Sequence, residues 1–379
     1  MLASKHKIYL TKNYRLENSE IPTNVFLFNE NGPHVQSQWI KKNIDCNDGT
    51  FIVLDHENHI LKAVEKRLYK RNYYTDVIDF NDPEKLIHIN PFDLVTNTSE
   101  IHFMFLNMLY IMWDNDDPDL PAMSNLIDAF ASCVFSMFAT DKTKMTMATL
   151  KKMISSVRAT MQTPDGPVML SDAIFAKIQD QESMPCKYYA QFNKATGDRK
   201  QRVAEKVAIL FDSFTDMDLA MMSETDESLS DEIGFKTAMF INVDDERHEH
   251  SAKLLLTLMN YFVQTLESHQ KTMFILDKLD SENLMVSLPY WLKEAPDNDM
   301  SFIICCNNLA NFKIKNESER FFKNLQKNLS ASVLIHHKDK NTKKDILPTS
   351  SDTMNDYLDD EYIATVLVGE DIKDQDVLF

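Results

Sequence analysis

The sequence predicts an α/β protein with a doubly wound, mostly parallel β-sheet that an inserted all-helical block interrupts. Before about residue 95, and again after Gly234, short apolar runs of strand length alternate with segments of helical spacing. Between about residues 100 and 222 strand signals vanish, and apolar residues recur three and four positions apart. Parallel neighbouring strands need a crossover segment between them, so the alternating parts indicate β-α-β units.

The first alternating part contains three predicted strands and two predicted helices. The second of its strands, FIVLD, ends on an acid, Asp55. Strands are predicted at 24–28, 51–55 and 76–80, and helices at 35–44 and 60–69. Each helix therefore follows one strand and precedes the next, as a parallel sheet requires.

The second alternating part is predicted to complete the same sheet. Strands are predicted at 237–243, 272–277, 301–306, 331–336 and 362–368. Helices are predicted at 249–268 and 317–328, and further helical segments follow the strand at 272–277 and end at about residue 293. Acidic stretches at 114–119 and 223–232 mark the entrance and the exit of the helical block. We predict that segments 1–113 and 225–379 form one α/β domain and that 114–224 is an inserted all-α domain.

Composition limits the classes of function that the chain can have. Its 379 residues carry a formal net charge of −18, which repels phosphate backbones, so direct nucleic-acid binding is disfavoured. The five cysteines form no C-x-x-C pair, and their odd number argues against a disulfide framework. The longest apolar runs are far shorter than the roughly 20 residues that span a bilayer, and the N-terminus lacks a secretory pattern. We expect no membrane span and a cytoplasmic location.

Glycine is scarce in this chain, with 6 residues in all and no two close together. Phosphate-binding loops need glycine where the backbone takes a positive φ or closely approaches a phosphate. The scarcity therefore disfavours enzymes that are built on such loops.

The turn after the first strand is where a nucleotide-binding α/β domain carries its phosphate-binding loop, G-x-x-x-x-G-K-[ST]. One glycine remains here, Pro33 removes an amide donor, and the lysine position holds His34 or Val35. From these residues alone, a plain strand-to-helix turn is favoured over a phosphate site. The residues of the turn are Asn29, Glu30, Asn31, Gly32, Pro33, His34, Val35 and Gln36.

A second candidate position is the end of the strand at 272–277, where Asp277 is followed by Lys278. In phosphoryl-transfer sites such an aspartate holds Mg²⁺, and a following acid polarises the attacking water. A lysine cannot act as that base at neutral pH without a large decrease of its pKa. Aspartate is also common at strand ends as a helix cap or turn residue, and this interpretation is favoured.

Three other polar clusters have plainer explanations. Residues 246–250 hold two histidines among acids, which could ligate a metal, but the solvated start of a helix fits better. The acidic stretch 114–119 lacks the central glycine and the closing glutamate of a calcium loop. The basic cluster at 336–344 fits a solvated loop.

Taken in chain order, these segments resemble the TraG/TraD-like coupling proteins of type IV secretion and conjugation, the hexameric ATPases that feed DNA or protein substrates to the channel. Five segments, within roughly residues 24–374, carry the resemblance. The segment FIVLDHENHI at 51–60 is similar to the family's strand and D-P-K-G-E element, and Asn90-Pro91 is similar to its N-P step. The segment GFKTAMF at 234–240 is similar to the strand that re-enters the ATPase core, and residues 274–277 stand at the Walker B strand. The segment CNNLANF at 306–312 is similar to the family's Q-x-L-x-Q-L segment.

The resemblance implies a RecA-like P-loop NTPase fold whose all-α domain is implicated in substrate recognition. The departures from the family's pattern lie where nucleotide, Mg²⁺ or γ-phosphate would be contacted. The P-loop Lys and Ser/Thr are missing, Lys278 replaces an acid, and Glu57 replaces a lysine. Asn307 and Asn311 stand in the glutamine positions. A degenerate nucleotide site is thereby implied at Asn29, Asn31, Gly32, Pro33, His34, Val35, Gln36, Asp277, Lys278 and Asn307.

We expect a soluble pseudo-ATPase that acts as a binding or adaptor subunit for substrate or accessory proteins, with no catalytic residues, metal or cofactor. The implied partners are proteins of a conjugation or type IV secretion machine, in a homo- or hetero-oligomer. The alternative from the enzyme class is a divergent NTPase that uses ATP and Mg²⁺ with residues from a neighbouring subunit. A structural protein of a mobile element is a third hypothesis, and a DNA-binding protein, which the net charge opposes, is the fourth.

Overall fold

The structure is a computed structural model, and the chain divides in it into two compact units. The first unit comprises residues 1–85, 228–252 and 263–379, and the second comprises residues 86–227 and 253–262. The residues that the structure describes are 7–10, 15–17, 24–29, 33–113, 117–164, 166–227, 229, 233, 236–243, 249–266, 271–278, 288–306, 327–337, 353–357, 362–368 and 377–378.

Strands and helices are numbered in chain order over these described residues. The strands are β1 Lys7–Tyr9, β2 Arg15–Glu17, β3 Val25–Asn29, β4 Thr50–His56, β5 Tyr74–Asp79, β6 Thr160–Thr163, β7 Gly166–Met169, β8 Thr237–Val243, β9 Thr272–Leu276, β10 Met300–Cys306, β11 Ala331–His337, β12 Thr353–Tyr357, β13 Tyr362–Val368 and β14 Val377–Leu378. The helices are α1 Pro33–Cys46, α2 His59–Lys70, α3 Thr98–Met112, α4 Leu120–Met137, α5 Met147–Ile154, α6 Leu170–Ala176, α7 Met184–Phe192, α8 Asp198–Asp212, α9 Asp216–Met221, α10 Glu249–Thr265 and α11 Leu288–Glu294.

A large sheet forms the centre of the first unit. Its strand order over the described residues is β12-β13-β11-β3-β10-β9-β4-β8-β5. The strands from β11 to β5 pair in parallel, whereas β13 pairs antiparallel with both β11 and β12. A separate small antiparallel sheet has the order β1-β2-β14. The predicted mostly parallel α/β sheet is confirmed, and the carboxyl ends of its parallel strands meet at one edge.

Burial on both faces explains why the central strands are continuous apolar runs. Every residue of β3, β8, β9 and β10 is buried, as expected for parallel strands that helices cover on both sides. On α2 the buried residues Ile60, Val64 and Leu68 are four apart and form one face. Trp39 of α1 is buried and its Nε1 donates to the carbonyl oxygen of Leu10 at 3.0 Å.

The second unit consists mainly of helices, but it also contains a β-hairpin. Strands β6 and β7 pair antiparallel, from Thr160 opposite Met169 to Thr163 opposite Gly166. The block predicted to be all-helical therefore departs from that expectation here. Gly166, at φ 116°, adopts a backbone conformation that other residues rarely take, and it begins the returning strand. The predicted domain boundaries at 113/114 and 224/225 stay a prediction.

Helix α4 runs through the second unit. Among the described residues, one helix, α4, is long and apolar enough to cross a membrane. However, 67% of its 18-residue apolar segment is buried inside the protein, as in a core helix. Asp119, at its start, is 1% exposed and accepts hydrogen bonds from Arg199 (3.0 Å), Arg202 (2.9 Å) and Lys206 (2.9 Å). The bond from Arg202, followed by that from Lys206, holds the pKa of Asp119 far below its usual value.

All eight predicted strands are present, with small shifts at their ends. Strand β12 was not expected, because its sequence TMNDY has no run of apolar residues. Most of the predicted helix at 317–328 lies outside the described residues. The same holds for most of the clusters at 246–250 and 336–344.

Candidate functional site

Two buried carboxylates lie side by side at the carboxyl edge of the sheet. Strands β4 and β9 are parallel neighbours in which Leu54 pairs with Leu276, so the residues that follow, Asp55 and Asp277, come to the same level. The amide of Asp277 donates to the carbonyl oxygen of Leu54 at 3.2 Å, which fixes this register at the end of the ladder. Both aspartates are 0% exposed.

The structure brings three of the predicted site residues together. The Nε2 of Gln36, in the first turns of α1, donates a hydrogen bond to Oδ1 of Asp277. Lys278 follows Asp277 in the chain. Pro33 begins α1, where His34 is exposed and Val35 is buried, and Asn29 is buried at the end of β3. The predicted residues Asn31, Gly32 and Asn307 lie outside the described residues.

Asp55 connects strand β4 to the start of helix α2. Its Oδ1 accepts from the amide of Ile60 at 3.0 Å, and its Oδ2 accepts from the amide of Leu61 at 2.8 Å. These are amides of the first helical turn that have no partner within the helix. Burial raises the pKa of Asp55 above its usual value, although the two amide hydrogen bonds oppose that shift.

Two histidines cover Asp277. The backbone amide of His56 donates to Asp277 Oδ2 at 3.2 Å, and the Nδ1 of the His56 ring is 3.5 Å from the same oxygen. The Nε2 of His59 is also 3.5 Å from that oxygen, while the Nδ1 of His59 is 3.7 Å from Asp55 Oδ1. Among the described histidines, His59 is thus the one whose ring nitrogens lie within 4 Å of both carboxylates.

The turn between β4 and α2 places a charged pair beside these residues. Glu57 and Asn58 have φ values of 60° and 56°, in the left-handed region that asparagine tolerates better than most residues. Counted from Asp55, Asn58 stands at the glycine of the D-P-K-G-E pattern. Glu57 accepts from the Nζ of Lys278 at 3.1 Å, and this hydrogen bond lowers the pKa of Glu57.

The site contains buried polar atoms without partners. Among the described residues, Gln36 Oε1, His56 Nδ1 and His59 Nε2 are buried and make no hydrogen bond. One donor atom from each of Asp55, His59 and Asp277 lies within 4.8 Å of the donor atoms of the other two. These three residues form the group in the described part of the chain that could hold a metal ion.

Asp277 and Gln36 are predicted as site residues from the sequence, whereas Asp55, His56 and His59 are not. The available signal was Asp55 at a strand end with His59 four positions later, a spacing that places both beside the start of α2. That signal was too weak alone, because His56 and Asp277 are 221 positions apart and nothing local indicates that β4 and β9 are neighbours.

No protein-family model matches the chain, and no curated protein matches its sequence. Solved structures of coupling proteins do match its fold. Plasmid coupling protein TrwB in complex with the GTP analogue GDPNP aligns with a TM-score of 0.60 and 10% identity, covering 97% of this chain and 90% of that chain. TrwBdeltaN70, a bacterial conjugative coupling protein in its unbound form, aligns at 0.59 and 11% identity, covering 86% and 72%. TrwB in complex with ADP and Mg²⁺ aligns at 0.57 and 11% identity, covering 84% and 71%.

The predicted RecA-like P-loop NTPase fold is therefore confirmed. Identities this low support a shared fold. What the shared fold does in this chain has to be argued from its own site residues.

Proposed function

We propose that the chain is a catalytically inactive relative of the conjugative coupling proteins that acts as a binding or adaptor subunit in conjugation or type IV secretion. The proposal combines the fold shared with TrwB with the chemistry of the residues at the carboxyl edge of the sheet, where open α/β sheets bind their ligands.

The ion pair between Glu57 and Lys278 is the observation that carries the proposal. At the position of Glu57 the family pattern has a lysine, and at the position of Lys278 it has the acid that polarises water. Both charges are reversed here, and the two side chains contact each other at 3.1 Å. The reversal thus preserves attraction between the two loops while it removes the base that hydrolysis needs.

The hydrogen bond between Gln36 and Asp277 is a second supporting observation. Gln36 is fully buried and donates to Oδ1 of Asp277, the aspartate at the position that would hold Mg²⁺ in an active enzyme. No lysine lies between residues 29 and 40 to contact a β- or γ-phosphate. The residues on this edge support a retained scaffold better than they support phosphoryl transfer.

Binding would then be the remaining role of the molecule. We assign contact with a substrate or accessory protein to the helical block within residues 114–224, since the corresponding part of the coupling proteins is implicated in substrate recognition. The α/β part would contact an active ATPase or a second copy of this chain. Protein-protein recognition also suits a chain with a net charge of −18, which nucleic acid would repel.

The experiment measures ATP and GTP binding by calorimetry and turnover with Mg²⁺ for the wild type and for the charge-swapped variant Glu57→Lys/Lys278→Glu. We expect no turnover above background for the wild type. The variant keeps the ion pair and restores an acid after Asp277, so it tests whether the acid alone limits hydrolysis. We expect it to stay folded and inactive, because the phosphate-binding lysine is still missing.

Hydrolysis by the wild type that disappears in Asp277→Ala would contradict the proposal. If that activity also depended on protein concentration, the divergent NTPase with residues from a neighbouring subunit would be the better hypothesis. Co-purification with components of a secretion channel, compared between the full chain and a full chain with surface substitutions in α8, tests the adaptor role separately.

A further inference from the structure

A buried group of two carboxylates and an imidazole at the carboxyl edge of the sheet has the composition of a metal site. We propose that Asp55, His59 and Asp277 bind one divalent transition-metal ion of the zinc class, without any nucleotide. This inference is independent of the proposed function, because it requires neither ATP nor a partner protein.

The hydrogen bonding of His59 leaves the required nitrogen available. Its Nδ1 lies 2.6 Å from the carbonyl oxygen of His56. A carbonyl oxygen can only accept, so Nδ1 carries the hydrogen, and in the neutral ring Nε2 carries the lone pair. That Nε2 is buried and has no hydrogen-bond partner among the described residues, and it faces Asp277. A bond from Nδ1–H to a backbone carbonyl is the usual arrangement of a metal-ligating histidine.

The spacing between the ligand atoms suits one shared ion. His59 Nε2 and Asp277 Oδ2 are 3.5 Å apart, which is long for a direct hydrogen bond between them. If both atoms bind one zinc ion at about 2.0–2.1 Å, the angle between the two bonds at the metal is roughly 115–120°, near the tetrahedral angle. Asp55 can supply the third ligand, since each of its oxygens keeps a lone pair beside its bond to an α2 amide.

The charge of the site also calls for a cation. Asp55 and Asp277 are fully buried, and no lysine or arginine of the described residues forms an ion pair with either carboxylate. Lys278, the nearest cation in the chain, pairs with Glu57 instead. Buried carboxylates that stay charged need a paired charge or a metal, because the removal of a charge from water is unfavourable.

Gln36 provides an independent indication of a ligand. It is 0% exposed, its Nε2 contacts Asp277, and its Oε1 is buried without a partner. The carboxamide therefore presents an unused acceptor beside the carboxylate that we assign as a ligand. On the other oxygen of Asp277, Oδ2, the His56 ring has its Nδ1 at 3.5 Å, and this nitrogen also makes no hydrogen bond.

The ligand types indicate which ions fit. Imidazole and carboxylate together suit zinc, manganese, iron or cobalt, whereas Mg²⁺ and Ca²⁺ prefer sites built from oxygen alone. In the described part of the chain Cys305 does not belong to the group of donor atoms that lie within 4.8 Å of one another, so the carboxylate–histidine set is the relevant one.

The test uses the full-length protein, stripped with a chelator and titrated with ZnCl₂ and CoCl₂ in the absence of nucleotide. We expect one tightly held zinc ion per chain by elemental mass spectrometry, and visible d–d absorption typical of tetrahedral Co²⁺ that one equivalent of zinc abolishes. His59→Gln and Asp277→Asn should each weaken zinc binding by at least about 100-fold, since both remove a direct ligand.

His250→Gln is the matched control. His250 is exposed on α10 and belongs to the 246–250 cluster that the sequence offered as a competing metal site, so its loss should leave the affinity unchanged. Circular dichroism of each stripped variant establishes that it is folded. If a ligand variant does not fold, the stoichiometry and the Co²⁺ spectrum of the wild type decide.

Three outcomes would overturn the proposal. The first is wild-type protein that retains no stoichiometric zinc and gives no tetrahedral Co²⁺ spectrum. The second is zinc binding that is equal in the wild type, His59→Gln and Asp277→Asn. The third is binding of Mg²⁺ alone, and only with ATP, which would contradict the proposed absence of nucleotide chemistry as well.

Discussion

At the scale of single residues, the second unit contains a pair formed by a half-buried histidine and a buried carboxylate. His102 Nδ1 lies 2.7 Å from Oδ2 of Asp128, and Ser124 Oγ donates to the same oxygen at 3.2 Å. The hydrogen bond with Asp128 raises the pKa of His102, although partial burial opposes the shift. Asp128 itself is 1% exposed, and burial raises the pKa of its carboxyl group.

This pair predicts how stability depends on pH. The pKa of His102 in the folded state lies above its unfolded value of about 6.5. Its contribution to the stability of the folded state is therefore complete below about pH 6.5 and is lost as the pH rises through the folded pKa. We predict that the difference in unfolding free energy between the wild type and His102→Gln falls by at most about 1 kcal/mol between about pH 6 and pH 9, since the ring is about a third exposed. Urea unfolding at a series of pH values measures it.

Asp128→Asn supplies the control for this prediction, because it removes the carboxylate that raises the pKa of His102. In that background, the pH dependence of the His102→Gln effect should be smaller. A wild-type advantage over His102→Gln that is constant from about pH 6 to pH 9 would contradict the assignment of a raised pKa to His102.

At the scale of elements, the turn into β4 shows why one of the few glycines is required. Gly49 has φ 124°, and a Cβ built on it would lie 2.3 Å from the carbonyl oxygen of Lys271. The same oxygen accepts from the amide of Thr50 at 2.9 Å, which begins the pairing of β4 with β9. This close approach sets the register that later places Asp55 beside Asp277.

We predict that Gly49→Ala destabilises the first unit by about 2–3 kcal/mol, because it combines backbone strain with a clash against backbone atoms. Chemical denaturation followed by tryptophan fluorescence measures this loss. Gly197→Ala is the control, since Gly197 has φ 58° but nothing within 4 Å of an added Cβ, so only strain of about 1 kcal/mol is expected. Equal losses at the two positions would show that the Lys271 contact is unimportant.

The elements that the sequence predicted well are those with a local physical signature. Strands β3, β8, β9 and β10 are buried on both faces, so each appears as an unbroken apolar run. The hairpin β6–β7 has mostly exposed or half-buried residues and no such run, so a search for apolar periodicity misses it.

At the scale of the whole molecule, the charge balance limits the partners. The chain has 58 acidic and 40 basic residues, which gives −18 with neutral histidines. Association with nucleic acid depends on basic residues that release counterions from phosphates, so an excess of acids opposes it.

We predict no salt-sensitive binding of single-stranded DNA at micromolar protein and physiological salt. Fluorescence anisotropy of a labelled oligonucleotide across a range of NaCl concentrations measures it. An affinity that falls linearly with salt on logarithmic axes would contradict the prediction. In that event, replacement of the cluster Lys338, Lys340, Lys343 and Lys344 by alanine would test whether those residues are responsible.

Local patterns in the chain are sufficient to predict the α/β class, the positions of the main strands, and the absence of a lysine from the turn after β3. Those features depend on apolar runs and residue types that lie close together in the chain. The pairing of β4 with β9 is visible in the folded structure alone, and it joins Asp55 and His59 to Asp277 and Glu57 to Lys278. The order of strands in a parallel sheet results from long-range pairing across crossovers, which no local pattern encodes.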